Sequence, residues 1–190
     1  MYNRSVWFEQ VDQALYDLLK DTVYTYGEDG TVEHIVPSFP LTDEELKTVK
    51  LPTAIIKKEN HEFDLFRYDK QDQVVGYNSN TSNAIVETSA MPYTLNYQID
   101  FLANYQEDIN QMTRVWAMKI PKRYMLGVKD MSGNPRQCYM RQTSPIVTMN
   151  ELKGDAKLYR ICIKYAIWVE LDEGTQRITK VASNVGIVTP

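Results

Sequence analysis

Histidine and cysteine are scarce in this chain, which has two of each among 190 residues. Two cysteines are too few for the disulfide framework of a small secreted domain, so both are expected to be reduced. No stretch approaches the roughly 18 consecutive apolar residues of a membrane-spanning helix. The first twenty residues also lack the apolar core of a secretory signal. The sequence therefore predicts a protein made in a cytoplasm-like environment, with no membrane partner.

Recognisable catalytic motifs are absent as well. The chain contains no Gly-x-Ser-x-Gly elbow, no phosphate-binding Gly-Lys-Ser/Thr and no dinucleotide fingerprint. His61 lies in a polar stretch with Glu62 and Asp64, but no second histidine or cysteine accompanies it, as a metal site would require. The adjacent Glu107 and Asp108 suit the first turn of a helix better than an acid–base pair. We therefore expect a protein that is not an enzyme and that holds no cofactor and no metal.

Glycine and proline are limited to eight residues each, which excludes a low-complexity chain, and the length predicts one domain over 1–190. A net charge of −4 argues against general binding of nucleic acid. The charge changes sign along the chain: residues 1–113 contain 8 basic and 19 acidic residues, and residues 114–190 contain 13 basic and 6 acidic. Either these halves neutralise each other within one subunit, or faces of opposite sign meet between subunits, or a basic rim touches nucleic acid.

The apolar pattern near the N-terminus predicts an amphipathic helix, with Ser5 as its N-cap and Gly27 at its end. The predicted buried face contains Trp7, Val11, Leu15, Leu18 and Thr22. A proline-containing loop follows, in which Thr42 would cap a single helical turn. Two short strands are predicted after it, at 53–57 and 62–68.

The middle of the chain contains its most regular pattern. The polar segment 76–83 predicts an exposed loop, mobile to about residue 90. From residue 93 to 101, apolar side chains then alternate with polar ones, which predicts a strand with one buried face. That face contains Tyr93, Leu95, Tyr97, Ile99 and Phe101. A helix ending before Pro121 follows, and its predicted apolar face contains Tyr105, Ile109, Met112 and Trp116.

The last third of the chain predicts further strands. Segments 124–128 and 137–141 are joined by a strong turn signal. The alternating segment 158–171 and a return strand at 176–188 predict a long C-terminal β-hairpin. Fourteen residues in a strand span about 46 Å, so we expect the hairpin, at 157–188, to project from the domain. The predicted fold class is α+β: a mainly antiparallel sheet packed by an N-terminal and a central helix, with a long C-terminal hairpin.

The basic residues of the second half suggest an interface. Within 114–141, seven basic residues accompany a single acidic residue. We expect contacts with other subunits at these positions and at the tip of the predicted hairpin. The candidate interface residues are Lys122, Arg123, Arg136, Arg141, Asp172, Glu173, Gly174 and Arg177.

Residues 91–108 form a recognisable junction between a strand and a helix. They read Met-Pro-Tyr-Thr-Leu-Asn-Tyr-Gln-Ile-Asp-Phe-Leu-Ala-Asn-Tyr-Gln-Glu-Asp. A proline-led alternating strand, followed by Tyr-x-Glu/Asp-Asp at the start of an apolar helix, resembles the tail terminator proteins of contractile-tailed bacteriophages, also called tail sheath stabiliser or tail completion proteins. The resemblance covers roughly residues 92–123. Its motif residues are Tyr93, Leu95, Tyr97, Ile99, Phe101, Tyr105, Glu107 and Asp108.

The resemblance implies a structural virion protein assembled in the host cytoplasm as a ring, a hexamer in that family. Such a ring caps the tail tube and sheath at the head-proximal end of the tail, ends their polymerisation and joins them to the neck. Its implied partners are further copies of itself, the tube and sheath proteins and a neck protein, with a passing contact to DNA in the tail lumen. The alternatives are another virion connector of the neck, head-closure or baseplate kind, and a small nucleic-acid-binding protein or an unrecognised enzyme.

Overall fold

A computed structural model of the chain describes residues 6–26, 31–40, 42, 50–67, 73–78, 83–87, 90–130, 132–153, 156–171 and 176–180. Within these residues there are two α-helices, α1 (Phe8–Lys20) and α2 (Gln106–Lys119). The same residues form twelve strands: β1 (Val23–Tyr26), β2 (Thr31–His34), β3 (Val36–Ser38), β4 (Thr53–Phe63), β5 (Gln73–Asn78), β6 (Asn83–Glu87), β7 (Met91–Ala103), β8 (Arg123–Lys129), β9 (Pro135–Gln142), β10 (Val147–Lys153), β11 (Ala156–Leu171) and β12 (Gln176–Lys180).

Seven strands form the main sheet in the order β3-β4-β7-β11-β9-β8, and β10 pairs with β11 beyond the end of β9. Only the β3–β4 pair is parallel among the described strand pairs. The two longest strands, β7 and β11, lie at the centre and pair from Tyr159 opposite Ala103 to Leu171 opposite Met91. Both were predicted from alternating apolar residues. Two smaller sheets contain β1-β2 and β12-β6-β5.

One face of the main sheet is packed against the two helices and is called the inward face here. It carries the odd-numbered residues of the two central strands. Those that are at most 3% exposed are Leu95, Tyr97, Ile99, Phe101, Ala103, Ile161, Ile163, Tyr165, Ile167 and Val169. Helix α1 contacts β3, β4 and β8, and therefore both ends of the strand order, so the sheet curls around the helices. The predicted fold class, an α+β fold with a mainly antiparallel sheet packed by an N-terminal and a central helix, is confirmed.

Helix α1 buries Val11, Leu15 and Leu19, which follow one another at four-residue spacing on one side of the helix. Trp7 was predicted to belong to that side, but it precedes the helix and is 50% exposed. The helix also ends at Lys20, because residues 23–26 form β1 instead of a further helical turn. The predicted end at Gly27 is therefore wrong, and both Gly27 and Ser5 lie outside the described residues.

Helix α2 buries Ile109, Met112 and Trp116, as its pattern predicted. Tyr105, predicted on the same face, is the N-cap and is 62% exposed because its backbone is still extended. Inside the core, Trp116 Nε1 donates a hydrogen bond of 2.7 Å to the Tyr165 hydroxyl. This bond joins α2 to the centre of the sheet.

The segments between residues 50 and 90 differ from their predictions. The strand predicted at 53–57 is longer than expected and continues to Phe63 as β4, with a bulge between Lys58 and Asn60 that shifts the alternation. The strand predicted at 62–68 is wrong beyond residue 63, because residues 65–67 form a turn. The predicted loop at 76–83 is wrong for 76–78 and for residue 83, which lie in β5 and β6. Polar side chains there misled the prediction, since these strands belong to a small separate sheet. The turn after Thr42 lies mostly outside the described residues.

A C-terminal β-hairpin is present, but its partner strands differ from the prediction. Strand β11 folds back on the preceding strand, β10, with Lys153 opposite Ala156. The following strand, β12, pairs with β6 in the small sheet. Most of β11 is covered by β7 on one side and by β9 and β10 on the other, so it does not overhang the sheet along that length. Residues 181–188 of the predicted return strand lie outside the described residues.

Candidate assembly interface

The strand–helix junction at 93–108 is mainly part of the core. Leu95, Tyr97, Ile99 and Phe101 are completely buried on β7. The Tyr97 hydroxyl donates a hydrogen bond of 2.6 Å to Asp12 Oδ1 and so ties the central strand to α1. At the start of α2, Glu107 is exposed and Asp108 is 5% exposed. The junction therefore positions the helices against the sheet, while Tyr105 and Glu107 are accessible from outside.

The other side of the main sheet, here called the outward face, carries an aromatic pair. Trp168 on β11 lies opposite Tyr139 on β9, and their rings stack with centroids 4.6 Å apart and planes 15° from parallel. The guanidinium carbons of Arg67 and Arg141 lie 5.5 Å and 5.9 Å from the centre of the Trp168 ring. Such cation–aromatic contacts are favourable and hold the arginines along the sheet surface.

Two of the predicted interface residues lie beside this aromatic pair, and a third is next to them in the chain. Arg123 on β8 lies directly opposite Arg141 on β9, and Lys122 precedes Arg123 in the chain. All three are exposed. None of them forms an ion pair with a residue that the structure describes. We call the group Lys122, Arg123, Tyr139, Arg141 and Trp168 the arginine face.

Arg136 does not belong to the arginine face, because it lies at the opposite end of the β8–β9 hairpin. Its Nε is 3.3 Å from the buried carboxylate of Asp130. Burial acts to raise the pKa of Asp130, but hydrogen bonds from Asn134, Arg136 and the Ser132 backbone outweigh burial and lower the pKa. This carboxylate therefore organises the turn between β8 and β9, with Arg136 as part of that turn.

Of the predicted hairpin-tip residues, only Arg177 lies in a described segment. Asp172, Glu173 and Gly174 lie outside the described residues. Arg177 is in β12, opposite Val86 of β6, in the small sheet. Their role in an interface stays a prediction.

A second charged cluster lies further along the outward face. Asp100 is 1% exposed, and its Oδ2 is 2.9 Å from Lys57 Nζ and 2.8 Å from Arg160 Nη2. Burial acts to raise the pKa of Asp100, but the hydrogen bonds from Lys57 and Arg160 outweigh burial and hold the pKa below its ordinary value. Lys164 is paired with Glu59 at the same level of the sheet. The cations of this cluster have carboxylate partners, whereas those of the arginine face have none among the described residues.

Helix α1 presents acidic side chains on the opposite side of the same sheet. Glu9, Asp17 and Asp21 are exposed, and none of them forms an ion pair with a described residue. We call these three residues the acidic stripe. A cleft of about 450 Å³ lies between the outer parts of α1 and β8, and Asp17 and Asp21 line it on the helix side, with Gly127 and Lys129 on the strand side.

No cluster of three or more His, Cys, Asp or Glu side chains that could hold a metal is found among the described residues. The ring of His61 instead lies 5.1 Å from that of Phe8, in a group of aromatic side chains near the start of α1. Both cysteines are buried as free thiols. Within the described part of the chain, no helix is long and apolar enough to cross a membrane.

The sequence reasoning missed Trp168 and Tyr139, although a signal for Trp168 was present. The alternation in 158–171 places residue 168 on the side opposite the buried odd positions. A tryptophan at such a position indicates a contact surface. Tyr139 and Arg67 carried no equivalent signal, because their approach to Trp168 depends on strand pairing and on the turn after β4.

Comparison with known proteins finds similarity at the level of the fold. No family model and no curated protein matches this sequence. Among solved structures, the chain is similar to the sheath/tube terminator of an extracellular contractile injection system, PVC, in its extended state. The identity is 17% and the TM-score 0.55, over 95% of this chain and 64% of that chain. This chain thus spans less than two thirds of that protein's length, and at this identity the likeness shows a shared fold.

Proposed function

We propose that this chain is a structural, non-catalytic subunit that terminates the tube and sheath of a contractile tail or injection particle. The observation that supports this proposal best is the fold shared with a sheath/tube terminator over nearly the whole chain. The strand–helix junction at 93–108 supports it independently, because its resemblance to tail terminators rests on sequence. We propose that residues 1–190 act as a single domain in this role.

In this role, copies of the subunit assemble into a ring on the last layer of tube and sheath. A ring that occupies the terminal subunits blocks the surface to which the next subunit would add, which ends polymerisation. The family resemblance suggests six copies, a position at the head-proximal end of the tail, contact with the neck on the free side, and passage of DNA through the lumen. The surfaces available for such contacts include the arginine face and the acidic stripe.

The proposal is tested by removing the gene from the genome that encodes this chain and imaging the particles by electron microscopy. We expect tubes of irregular length and sheaths that are missing or contracted, because nothing stops or holds the last layer. Expression of the chain in trans should restore uniform tails. Labelled chain should be found at one end of the tail, at the junction with the head where the particle has one.

Uniform, extended tails without the protein would contradict the proposal. Label at the baseplate end would instead assign the chain to another class of connector. A protein that stays monomeric both alone and with purified tubes would exclude the ring.

A further inference from the structure

We propose that the arginine face of one subunit packs against helix α1 of a second copy, with the acidic stripe of that copy neutralising Arg123 and Arg141. This inference rests on the proposed function, since it assigns the contact between neighbouring subunits of the ring. It is carried by the composition of the arginine face, by the lack of ion pairs between that face and the described residues, and by the position of the acidic stripe.

The arginine face has the composition of a protein contact. Tryptophan, tyrosine and arginine are the side chains most enriched at the centres of interfaces. Trp168 and Tyr139 are half-buried and stacked, so their rings present a rigid surface that loses little conformational freedom on binding. Met125, which is 48% exposed, lies opposite Tyr139 and extends the apolar part of the surface.

Among the residues that the structure describes, no carboxylate forms an ion pair with the cations of the arginine face. Arg123 and Arg141 are directly opposite each other across two strands, and like charges in that position are destabilising. Elsewhere on the same face, the cations Lys57, Arg160 and Lys164 all have carboxylate partners. An acidic partner at Arg123 and Arg141 would remove the repulsion, which favours a contact with carboxylates.

A second copy provides those carboxylates in a suitable place. The acidic stripe lies on α1, on the inward side of the sheet, whereas the arginine face lies on the outward side. The two surfaces of one subunit therefore cannot meet each other, but they can meet between neighbours. A contact between two different surfaces is heterologous, and repetition of such a contact generates a closed ring or an open filament. The cleft beside Asp17 and Asp21 leaves room for guanidinium groups from the neighbour.

Nucleic acid is a weaker occupant for the arginine face. Affinity for nucleic acid comes from several phosphate contacts, each made by a cation, and the arginine face supplies three cations in a protein of net charge −4. Occupation by nucleic acid would also leave the acidic stripe without a partner.

The test uses charge reversal and its rescue in the full chain. One variant carries Arg123→Glu and Arg141→Glu, and a second carries Asp17→Lys and Asp21→Lys. Each variant alone should lose self-association by about 100-fold or more, measured by sedimentation velocity or on tube ends by electron microscopy, because like charges then meet at every contact. An equimolar mixture of the two variants should associate again, since each reversed surface finds its complement on the other variant. Arg114→Glu, a reversal at an exposed position on α2, is the matched control and should leave association unchanged.

Thermal unfolding of each variant shows whether self-association is lost through the changed contact or through loss of folding. Rescue by mixing is a second control, because it occurs only if both variants are folded. If neither double reversal changes self-association, this inference is wrong, although the proposed ring can still stand. If mixing the two variants does not restore their self-association, the proposed pairing of the arginine face with α1 is wrong. If the arginine reversals abolish binding of duplex DNA at low salt and leave self-association unchanged, the face binds nucleic acid and the inference is wrong. A wild-type chain that never associates, alone or with tubes, contradicts the proposed function itself.

Discussion

Replacing Asp100 by asparagine removes the carboxylate at the centre of the ion cluster on the outward face while preserving the shape of the side chain. The carboxylate oxygens accept hydrogen bonds of 2.9 Å from Lys57 and 2.8 Å from Arg160. Gln98 Nε2 adds contacts of 2.8 Å and 3.0 Å to the two oxygens. Lys57 and Arg160 lie on β4 and β11, the two strands beside β7, and in the variant both lose the negative partner that they share.

The expected loss of stability depends on how deeply the carboxylate and its two cationic partners are buried. A hydrogen bond to a charged group contributes about 1.5–3 kcal/mol to stability. The side chains of Lys57 and Arg160 are 39% and 22% exposed, so water recovers part of their loss. We therefore expect the free energy of unfolding to fall by about 2–3 kcal/mol. For a chain of this size, about 2–4 °C per kcal/mol corresponds to a decrease in Tm of about 4–12 °C.

The pH dependence of this loss has a definite sign. The pKa of Asp100 is lower in the folded protein than its ordinary value of 3.8, because the hydrogen bonds from Lys57 and Arg160 outweigh the effect of burial. Its contribution to stability is therefore complete above the pKa of the unfolded chain and is lost as the pH falls through the folded pKa. The difference between wild type and variant should be constant from about pH 5 to pH 8 and should shrink below about pH 4.

Urea unfolding of both proteins between pH 7 and pH 3.5 measures this difference. Glu170→Gln serves as the control, because Glu170 is exposed and has no ion pair among the described residues. The control should leave the midpoint at pH 7 unchanged. Equal midpoints for wild type and the Asp100 variant at pH 7, or a difference that grows in acid, would refute the reasoning.

Three further predictions concern the core and one turn. Tyr97→Phe removes the hydroxyl that donates to Asp12, which should lower the free energy of unfolding by about 1–2 kcal/mol in a thermal or urea experiment; an unchanged value would show that the bond does not hold α1 on the sheet. Burial raises the pKa of Cys138 to about 11 and also raises that of Cys162, so both thiols should react slowly with a disulfide reagent at pH 8 until urea unfolds the protein, and rapid reaction of the native protein would contradict their burial. Gly133 has φ of 82°, so Gly133→Ala should cost about 1 kcal/mol although the site is open, and an equally stable variant would mean that the turn relaxes.

The central strands could be predicted because burial dictates their sequence. Tyr97 and Ile99 on β7 and Ile163 and Ile167 on β11 lie on the inward face, and a single buried face requires alternation of period two. Which strands pair was not predictable from these patterns. The return strand was expected beside β11, but β11 already has β7 on one side and β9 and β10 on the other. Which strands pair depends on all the strands that compete for the same edge, and the pattern within one segment carries no information about the other strands.

Helix ends and charged contacts were the least predictable features. Trp7 and Tyr105 continue the apolar spacing of their helices, yet both are N-caps, where the extended backbone turns the side chain away from the packed side. The interface residues Arg123 and Arg136 come from one basic segment, but the β8–β9 hairpin separates them to its two ends. One basic segment of the sequence therefore contains both Arg136, which pairs with Asp130, and Arg123, which forms no ion pair with a described residue.

The described ion pairs show where the two oppositely charged halves of the chain meet. Two described ion pairs join an acid of the first half to a base of the second: Asp100 with Arg160, and Glu59 with Lys164. The other described pairs lie within one half, so they leave the difference between the halves unchanged. Because the inward face is filled by apolar side chains and helices, the unpaired arginines lie on the outside of the sheet, and the acidic stripe lies on the helix at its other side. Among the described residues neither group of charges has an ion-pair partner, and the sheet keeps the two groups of one subunit apart. A second copy carries both signs, so the contact proposed above would bring each group its complement.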